Sequence, residues 1–293
     1  HDDVIVADEN VLYILPYLPP TVTTLKLNDC NMQVHHIPKL IELLRKKLHV
    51  QVLSLRLNRS LYMNGWENKF LDKLPYLKAL DLSICDLDTV DGMKLTAALA
   101  GHPNGKLECL NVAGNYRMRE AIPDLVKVCS RVGVMELDCS FCDVQNKEQQ
   151  EVFDLLATEQ QSSIRSLAMR SAHIENARPL IRCIQQNTSL ERLILDHPRS
   201  PSPLTPTTMD KILGAIRNNY YLQVFQVDTA WNQDPKVLQE MEHWMTLNRC
   251  GRSILIHDKG RHWSHVLGRV GKLNDIDTFY WFLRSGAEQF AVM

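Results

Sequence analysis

The chain has 293 residues, of which 45% are apolar and 23% are charged, a composition typical of folded rather than disordered proteins. Its 33 basic and 34 acidic side chains give a net charge of −1, which argues against an electrostatic interface for nucleic acid or an anionic membrane. Its apolar runs are much shorter than the ~20 residues that a membrane-spanning helix requires. Because the chain begins at His1 rather than Met, we expect a leader, a further domain or a tag to precede it.

The first predicted element is an N-terminal cap over residues 1–21. This segment carries closely spaced apolar side chains: Val11, Leu12, Ile14, Leu15 and Leu18. We expect them to cover the apolar surface of the repeated segment that begins at Val22, because a stack of repeats otherwise leaves its first sheet edge open.

Residues 22–247 are predicted to contain eight repeats. Each repeat opens with a nine-residue pattern in which the first, fourth and sixth residues are apolar and the ninth is Cys, Asn or a small residue. The patterns begin at Val22, Val50, Leu77, Leu107, Val134, Ile164, Leu190 and Leu222, which lie 26 to 32 residues apart. Eight occurrences in near-constant phase indicate a repeat architecture rather than chance.

Each pattern predicts a short strand with one buried and one open face, followed by a helix. Helical periodicity follows the strand pattern, with apolar faces at residues 37–44, 152–156, 180–184, 212–216 and 237–245. At the ninth position the residues alternate: Cys30, Asn58, Cys85, Asn115 and Cys142. We expect asparagine there to bond the backbone of neighbouring turns and cysteine to act as a small buried apolar group. One strand and one helix cannot bury their apolar faces alone, so the repeats must stack.

The cysteines are predicted to be buried thiols rather than disulfides. There are eight of them: Cys30, Cys85, Cys109, Cys129, Cys139, Cys142, Cys183 and Cys250. Their positions in the repeat favour a reducing, intracellular compartment, with the cytoplasm preferred and an organelle possible only with a preceding transit peptide. The Cys-x-x-Cys formed by Cys139 and Cys142 is compatible with a metal or redox site. Core packing is the preferred interpretation, because both residues occupy inward positions and no second pair has zinc-site spacing.

These repeats resemble the ribonuclease-inhibitor-like subfamily of leucine-rich repeats, whose units have similar length and the same alternation of Cys and Asn. The resemblance covers about residues 22–247. It implies an α/β fold, a right-handed solenoid curved like a horseshoe, with parallel strands on the concave face and helices on the convex face. It further implies a protein-binding role, since concave strands and adjoining loops bind protein partners in that family. Related repeat domains occur in F-box substrate receptors, tropomodulin-type actin cappers, Ran GTPase activators and immune sensors.

The exposed strand positions define a candidate partner-binding surface. The register predicts one column of side chains through Lys26, Asp81, Asn111 and Asp138, and a second column through Arg56 and Arg170. Beyond these columns we expect apolar islands. The predicted binding residues are Lys26, Arg56, Leu57, Asp81, Ile84, Asn111, Asp138, Phe141 and Arg170. Apolar anchors within a charged surround suit a protein interface, whereas a phosphate backbone would require clustered Lys and Arg.

Two insertions interrupt the repeats. Residues 196–210 contain four prolines and three Ser-Pro or Thr-Pro steps, which suit a phosphorylation loop; a tolerated insertion at a strand-to-helix turn is the preferred interpretation. Residues 61–69 contain Trp66, which is predicted to cover the second repeat rather than to form a binding edge.

Residues 248–293 are predicted to form a C-terminal cap of two short helices, in which Trp263, Tyr280 and Trp281 pack. This segment, with Leu-Asn-Arg-Cys-Gly-Arg at residues 247–252, resembles the closing segment of uncharacterised repeat proteins from diatoms and related algae. A metal site formed by His257, His262 and His265 is disfavoured relative to ordinary surface histidines.

No motif for nucleotide binding, metalloprotease chemistry or a serine nucleophile occurs in the sequence, so we predict a non-enzyme without cofactor or metal. The leading hypothesis is a protein–protein interaction scaffold or a subunit of a larger complex. Alternatives are the substrate receptor of a ubiquitin ligase, whose F-box would precede His1, and a regulator of a small GTPase or of actin. The GTPase alternative requires a catalytic arginine, and Arg59 lacks the surroundings expected for one.

Overall fold

The computed structural model describes residues 3–5, 11–47, 49–59, 61, 71–101, 106–159, 161–171, 174–195, 205–227, 234–257, 263–273 and 276–290. Within these ranges no helix combines the length and apolar character needed to cross a bilayer. The Pro-rich segment 196–204, Trp66 and His262, all named above, lie outside the described residues.

The described residues form a nine-stranded parallel sheet in which each strand pairs with the next one along the chain. The strands are β1 Asp3–Ile5, β2 Thr24–Lys26, β3 Val52–Ser54, β4 Ala79–Asp81, β5 Cys109–Asn111, β6 Glu136–Asp138, β7 Ser166–Ala168, β8 Arg192–Ile194 and β9 Val224–Gln226. Every one of the eight predicted repeats supplies one strand, β2 to β9. The first strand, β1, lies in the segment predicted as a cap and extends the sheet by pairing Val4 with Leu25.

The second apolar residue of every pattern points into the solenoid. The pairings align these residues in one interior row: Leu25, Leu53, Leu80, Leu110, Leu137, Leu167, Leu193 and Phe225. All of them are at most 5% exposed. Burial of each such side chain contributes roughly 1.5–3 kcal/mol, and this gain exists only when neighbouring repeats stack. The predicted solenoid is therefore confirmed.

Helices follow the strands and cover the other side of the interior row. They are α1 Val11–Ile14, α2 Ile37–Lys47, α3 Thr89–Ala100, α4 Ile122–Val132, α5 Asn146–Thr158, α6 Arg178–Gln186, α7 Pro206–Asn218 and α8 Pro235–Arg249. Their starts carry local signals. Asp88 caps α3 by accepting a hydrogen bond from the Asp91 N–H, and α4, α6, α7 and α8 each have proline in the first two positions, where its missing N–H costs nothing.

The backbone turns sharply at the residue before the ninth position of the pattern. We call this position the rim. In six repeats the rim residue has a positive φ: Asp29, Leu57, Ile84, Gly114, Phe141 and Ser171. Each non-glycine residue there bears a steric cost of roughly 1–2 kcal/mol. The N–H of the rim residue still takes part in the hydrogen-bond ladder between repeats. For example, the Phe141 N–H donates to the Arg170 carbonyl at 2.9 Å.

Asparagine at the ninth position joins successive repeats, as predicted. Asn115 Oδ1 accepts hydrogen bonds from the N–H groups of Cys85 and Leu87, and its Nδ2 donates to the carbonyls of Leu82 and Val112, at 2.7 to 3.1 Å. Asn58, which lies two repeats earlier, makes the equivalent hydrogen bonds. Cysteine at the same position donates a weak S–H bond to the preceding repeat, as from Cys142 to the Val112 carbonyl at 3.3 Å.

A second row of hydrogen-bonded asparagines lies at the ends of the later helices. This row was not predicted from the sequence. Asn187 Nδ2 donates to the Leu156 carbonyl at 2.8 Å, and Asn219 Nδ2 donates to the Ile184 carbonyl at 2.6 Å. Asn248 continues the row by donating to the carbonyls of Asn219 and Leu222. These buried amides connect the helix ends on the convex side, as Asn58 and Asn115 connect the strand ends.

The described part of the C-terminal segment forms three helices rather than the predicted two: α9 Arg252–His257, α10 Trp263–Leu273 and α11 Ile276–Phe290. They enclose a separate small core of Leu247, Cys250, Val266, Val270 and Phe282. Trp281 packs against this core, whereas Tyr280 is 66% exposed. The cap rests on α8 through its own core and does not share the interior row of the repeats.

Arg252 contacts both the C-terminal cap and the last repeat. Its guanidinium carbon lies 4.5 Å from the ring centroids of Tyr220 and Trp244 and 5.6 Å from that of Trp281, and its Nη2 donates to the Arg217 carbonyl. The side chain is buried and faces aromatic rings instead of a carboxylate. Burial lowers the pKa of Arg252 to about 10, which still leaves it charged at neutral pH.

Candidate functional site

The concave face is formed by side chains that project from the open side of the strands. The strand pairings place its middle column in a single row: Lys26, Ser54, Asp81, Asn111, Asp138, Ala168, Ile194 and Gln226. This is the predicted order. The predicted binding residues Lys26, Asp81, Asn111 and Asp138 are partly exposed there.

Exposure along the middle column is less uniform than predicted. Ser54, Ala168 and Ile194 are only 5%, 7% and 4% exposed. Ser54 is buried because its Oγ lies between Asn28 and Asp81, 2.7 Å from Asn28 Oδ1 and 3.0 Å from Asp81 Oδ2. In this row the accessible surface therefore comes mainly from the longer charged and amide side chains.

Three predicted binding residues also terminate their own strands. Oδ1 of Asp81, of Asn111 and of Asp138 each accepts a hydrogen bond from the backbone N–H two residues later, at 2.9 Å in every case. Such local bonds satisfy a backbone donor at the point where the ladder ends. Each side chain therefore has a structural role, and Oδ2 of Asp81 also accepts a hydrogen bond from Ser54 Oγ.

A further column of side chains, not predicted from the sequence, lies on the same face. It consists of the residue two positions before the middle column in each strand: Thr24, Val52, Ala79, Cys109, Glu136, Ser166, Arg192 and Val224. Alternation along a strand identifies these positions, since residues i and i+2 share a face. Glu136 and Arg192 are exposed, whereas Ala79, Cys109 and Ser166 are small and partly buried.

The two columns enclose a groove across β3 to β8 with about 340 Å³ of water-accessible space. Small side chains of Ala79, Cys109, Ser166 and Ala168 form its floor. The Cys109 thiol is neutral at physiological pH, because burial, with a further contribution from the charge of Glu136, raises the pKa of Cys109 to about 11. We call this space the concave groove.

Charged side chains are segregated along the concave groove. Asp81 of β4 and Glu136 and Asp138 of β6 make one end acidic. Arg170, two residues after β7, and Arg192 of β8 make the other end basic. Among the described residues none of the five takes part in an ion pair. Arg56, another predicted binding residue, is exposed on the β3 side, outside the groove lining.

The predicted apolar islands lie at rim positions. Phe141 is 46% exposed, and Leu57 and Ile84 are half-buried. Ile84 also covers the neighbouring turn, because a Cβ atom at Gly114 would lie 2.8 Å from Ile84 Cγ1. The turn thus favours glycine at residue 114 because a side chain would have no space beside Ile84, and its φ of +77° suits glycine as well. Phe141 is the most exposed of the three apolar side chains.

The described residues contain no cluster of three or more His, Cys, Asp or Glu suited to a metal ion. All eight cysteines are described, and none of them forms a disulfide; seven are buried and Cys109 is partly exposed. Cys139 and Cys142 donate to different backbone carbonyls, those of Ala168 and Val112, at 3.4 and 3.3 Å. Their spacing reflects two inward positions of one repeat.

The aligned interior row, the alternating strands and helices and the asparagine ladder define this chain as a leucine-rich-repeat solenoid. No protein-family model and no curated protein matches its sequence. Among solved structures it is similar to the actin-binding site 2 region of leiomodin-1, with 13% identity, a TM-score of 0.47 and coverage of 57% of this chain and 94% of the other.

Two further structures show comparable similarity. The tropomodulin C-terminal domain of Caenorhabditis elegans matches with 14% identity, a TM-score of 0.45 and coverage of 57% of this chain and 99% of the other. An internalin from Listeria monocytogenes matches with 15% identity, a TM-score of 0.43 and coverage of 82% and 68% respectively. These similarities concern the course of the backbone.

Proposed function

We propose that this protein is a non-catalytic scaffold, or a subunit of a larger assembly, that binds another protein through its concave face. The observation that carries the proposal is the concave groove with five charged side chains that lack ion-pair partners among the described residues. Unpaired charges beside an exposed aromatic side chain form the combination that protein interfaces use for orientation and anchoring.

The concave face is preorganised for binding. Its side chains are held by a continuous parallel ladder, and Asp81, Asn111 and Asp138 are further fixed by bonds to their own backbone. A rigid surface loses little conformational entropy when a partner binds. Phe141, at the rim, supplies an apolar anchor at the border of the charged groove.

The absence of catalysis is part of this proposal. No histidine lies on the described strands, and the Cys109 thiol is neutral at physiological pH, so the groove offers no activated nucleophile paired with a base. Cysteines that are buried as thiols and form no disulfide support an intracellular, reducing location, with the cytoplasm preferred. No observation on the described residues favours the ubiquitin-ligase, GTPase or actin alternatives over a general scaffold.

Site-specific photo-crosslinking tests the proposed surface. A photoreactive amino acid replaces Arg192 in the groove or, as the matched control, Gln185 on α6 of the convex side; both positions are exposed. In extracts of the source cells we expect one protein to crosslink from residue 192 and not from residue 185. Equal crosslinking from both positions, or none from residue 192, contradicts the proposal.

A further inference from the structure

We propose that the concave groove selects its partner by charge order. The partner segment would carry a run of Lys or Arg next to a run of Asp or Glu, the basic run facing β4 to β6 and the acidic run facing β7 and β8. This inference rests on the proposed function and specifies the chemistry of the partner at the same site.

The charges of the groove are separated by element. Neighbouring strands lie ~4.8 Å apart, so the acidic end, from Asp81 on β4 to Asp138 on β6, spans roughly 10 Å. Arg170 lies two residues after β7, and Arg192 is the first residue of β8. The whole charged length, four strand intervals, is roughly 19 Å, which corresponds to about six residues of extended chain. A short segment therefore reaches both ends at once.

The charged groups are unneutralised within the described protein. Glu136 and Asp138 lie two residues apart on the same face of β6, so two negative charges are held side by side. Arg192 on β8 pairs with Ser166 of β7, and Arg170 lies two residues beyond the end of β7, so two positive charges stand on the β7–β8 side of Glu136 and Asp138. Like charges held on one surface repel each other, and a ligand with the opposite charge order neutralises both groups.

The small residues on the floor of the groove leave space for a side chain of the partner between the charged residues. Ala79, Cys109 and Ser166 project less than their neighbours. A lysine or arginine stem fits over this floor while its cation reaches Glu136 or Asp138, as long basic side chains commonly bury their stems. The acidic end argues against a phosphate backbone as the partner.

Two synthetic peptides of identical composition test the inference by fluorescence anisotropy at low ionic strength. The segregated peptide is Lys-Lys-Lys-Ser-Glu-Glu-Glu, and its control alternates the charges as Lys-Glu-Lys-Ser-Glu-Lys-Glu. We expect the segregated peptide to bind the full chain about tenfold more tightly, with binding weakened by added salt. Equal affinities, a preference for the alternating peptide, or no binding of either peptide overturns the inference.

A charge-swapped protein provides the second test. The double variant Glu136→Lys with Arg192→Glu keeps the net charge but breaks the segregation, so the preference for the segregated peptide should disappear. The matched control, Asp124→Lys with Lys127→Glu, exchanges two exposed charges on α4 of the convex side and should keep the preference. Thermal unfolding of both variants checks that they fold. An unchanged preference in the groove variant contradicts the inference.

The outcomes separate this inference from the proposed function. If residue 192 crosslinks a partner but the peptides show no preference, the scaffold role stands and the charge order is wrong. If residue 192 crosslinks nothing, the scaffold role itself fails, whatever the peptides do. Analytical ultracentrifugation tests whether the groove binds a second copy of this chain instead of a charged segment of another protein. Dimers that the groove variant abolishes would show that it does, which overturns the inference.

Discussion

Asn115 shows how one side chain joins two repeats. Its amide group bonds two N–H groups and one carbonyl of the third repeat together with one carbonyl of its own repeat. All of these groups are buried and turn away from the sheet ladder, so they have no water to replace the amide. Cys85, one repeat earlier at the same position, donates only weak S–H bonds, to the carbonyls of Leu55 at 3.2 Å and Ser83 at 3.5 Å.

We therefore expect Asn115→Ala to lower the free energy of unfolding by roughly 3 kcal/mol or more, because it leaves several buried backbone groups unpaired. Cys85→Ala, the control at the equivalent position, should cost about 1 kcal/mol, since it removes a weak donor and little volume. Urea unfolding with unchanged slopes measures both values. Equal losses in the two variants would show that the amide bonds are not the stabilising element.

Cys109 serves as a chemical probe of the concave groove, because it is the one cysteine among the eight that is not buried. Its pKa of about 11 stands roughly two units above the ordinary value of 9.0, so the thiolate population near pH 8 is about a hundredfold lower than for an unperturbed thiol. We expect iodoacetamide to modify the native protein slowly at pH 8 and faster as the pH rises toward 11, with Cys109 modified first. Mass spectrometry of tryptic peptides measures the order, and earlier modification of Cys139 or Cys142 would contradict it.

At the scale of the elements, the spacing between α3 and α4 depends on one small residue. A Cβ atom added at Gly92 of α3 would lie 2.6 Å from Ala121 Cβ and 3.1 Å from Met118 Cε. The Ala121 methyl group cannot rotate away, so the backbone would have to move. Gly214 of α7, in contrast, has no heavy atom within 4 Å of its added Cβ.

The two glycines should respond to alanine in opposite directions. We expect Gly92→Ala to destabilise the protein by roughly 1–3 kcal/mol through overpacking. Gly214→Ala should stabilise it by about 0.5–1 kcal/mol, because alanine lowers the entropy of the unfolded chain without a clash. Thermal unfolding resolves both signs. A stabilising Gly92→Ala would mean that α3 and α4 are farther apart than described.

At the scale of the whole molecule, the solenoid and its C-terminal cap are two cores joined by few contacts. The cap core of Leu247, Val266, Val270 and Phe282 does not include the interior row of the repeats. Trp244 of α8 packs on both cores, and Arg252 lies against Trp244 and Tyr220. Gly251, with a φ of +99°, reverses the chain between α8 and α9 so that Arg252 enters this aromatic cluster.

We expect Arg252→Ala to loosen the cap without unfolding the repeats. A desolvated cation–π contact contributes about 2 kcal/mol, so amide exchange in α10 and α11 should accelerate by roughly thirtyfold while β2 to β6 keep their protection. Arg249→Ala is the matched control, because Arg249 bonds the Gln223 carbonyl and Glu242 rather than the cap. Exchange that accelerates equally throughout the chain would show that cap and repeats unfold as one unit.

The sequence by itself determined the repeat period, the eight strands β2 to β9, the interior leucine row and the role of Asn58 and Asn115, because each follows from periodicity within a single repeat. It also identified the middle column of the concave face. The column through Cys109, Glu136 and Arg192 follows from the same alternation, because these residues lie two positions before the middle column.

Tertiary structure alone decided the segregation of charge in the concave groove, the aromatic cluster around Arg252 and the added strand β1. In each case the contacting residues are many positions apart in the chain, so local periodicity carries no information about their separation. Glu136 and Arg192 line one groove because repeats stack at a strand spacing of ~4.8 Å, and Arg252 reaches Tyr220 because Gly251 reverses the chain. Such contacts depend on how whole repeats pack, which is a property of the assembled solenoid.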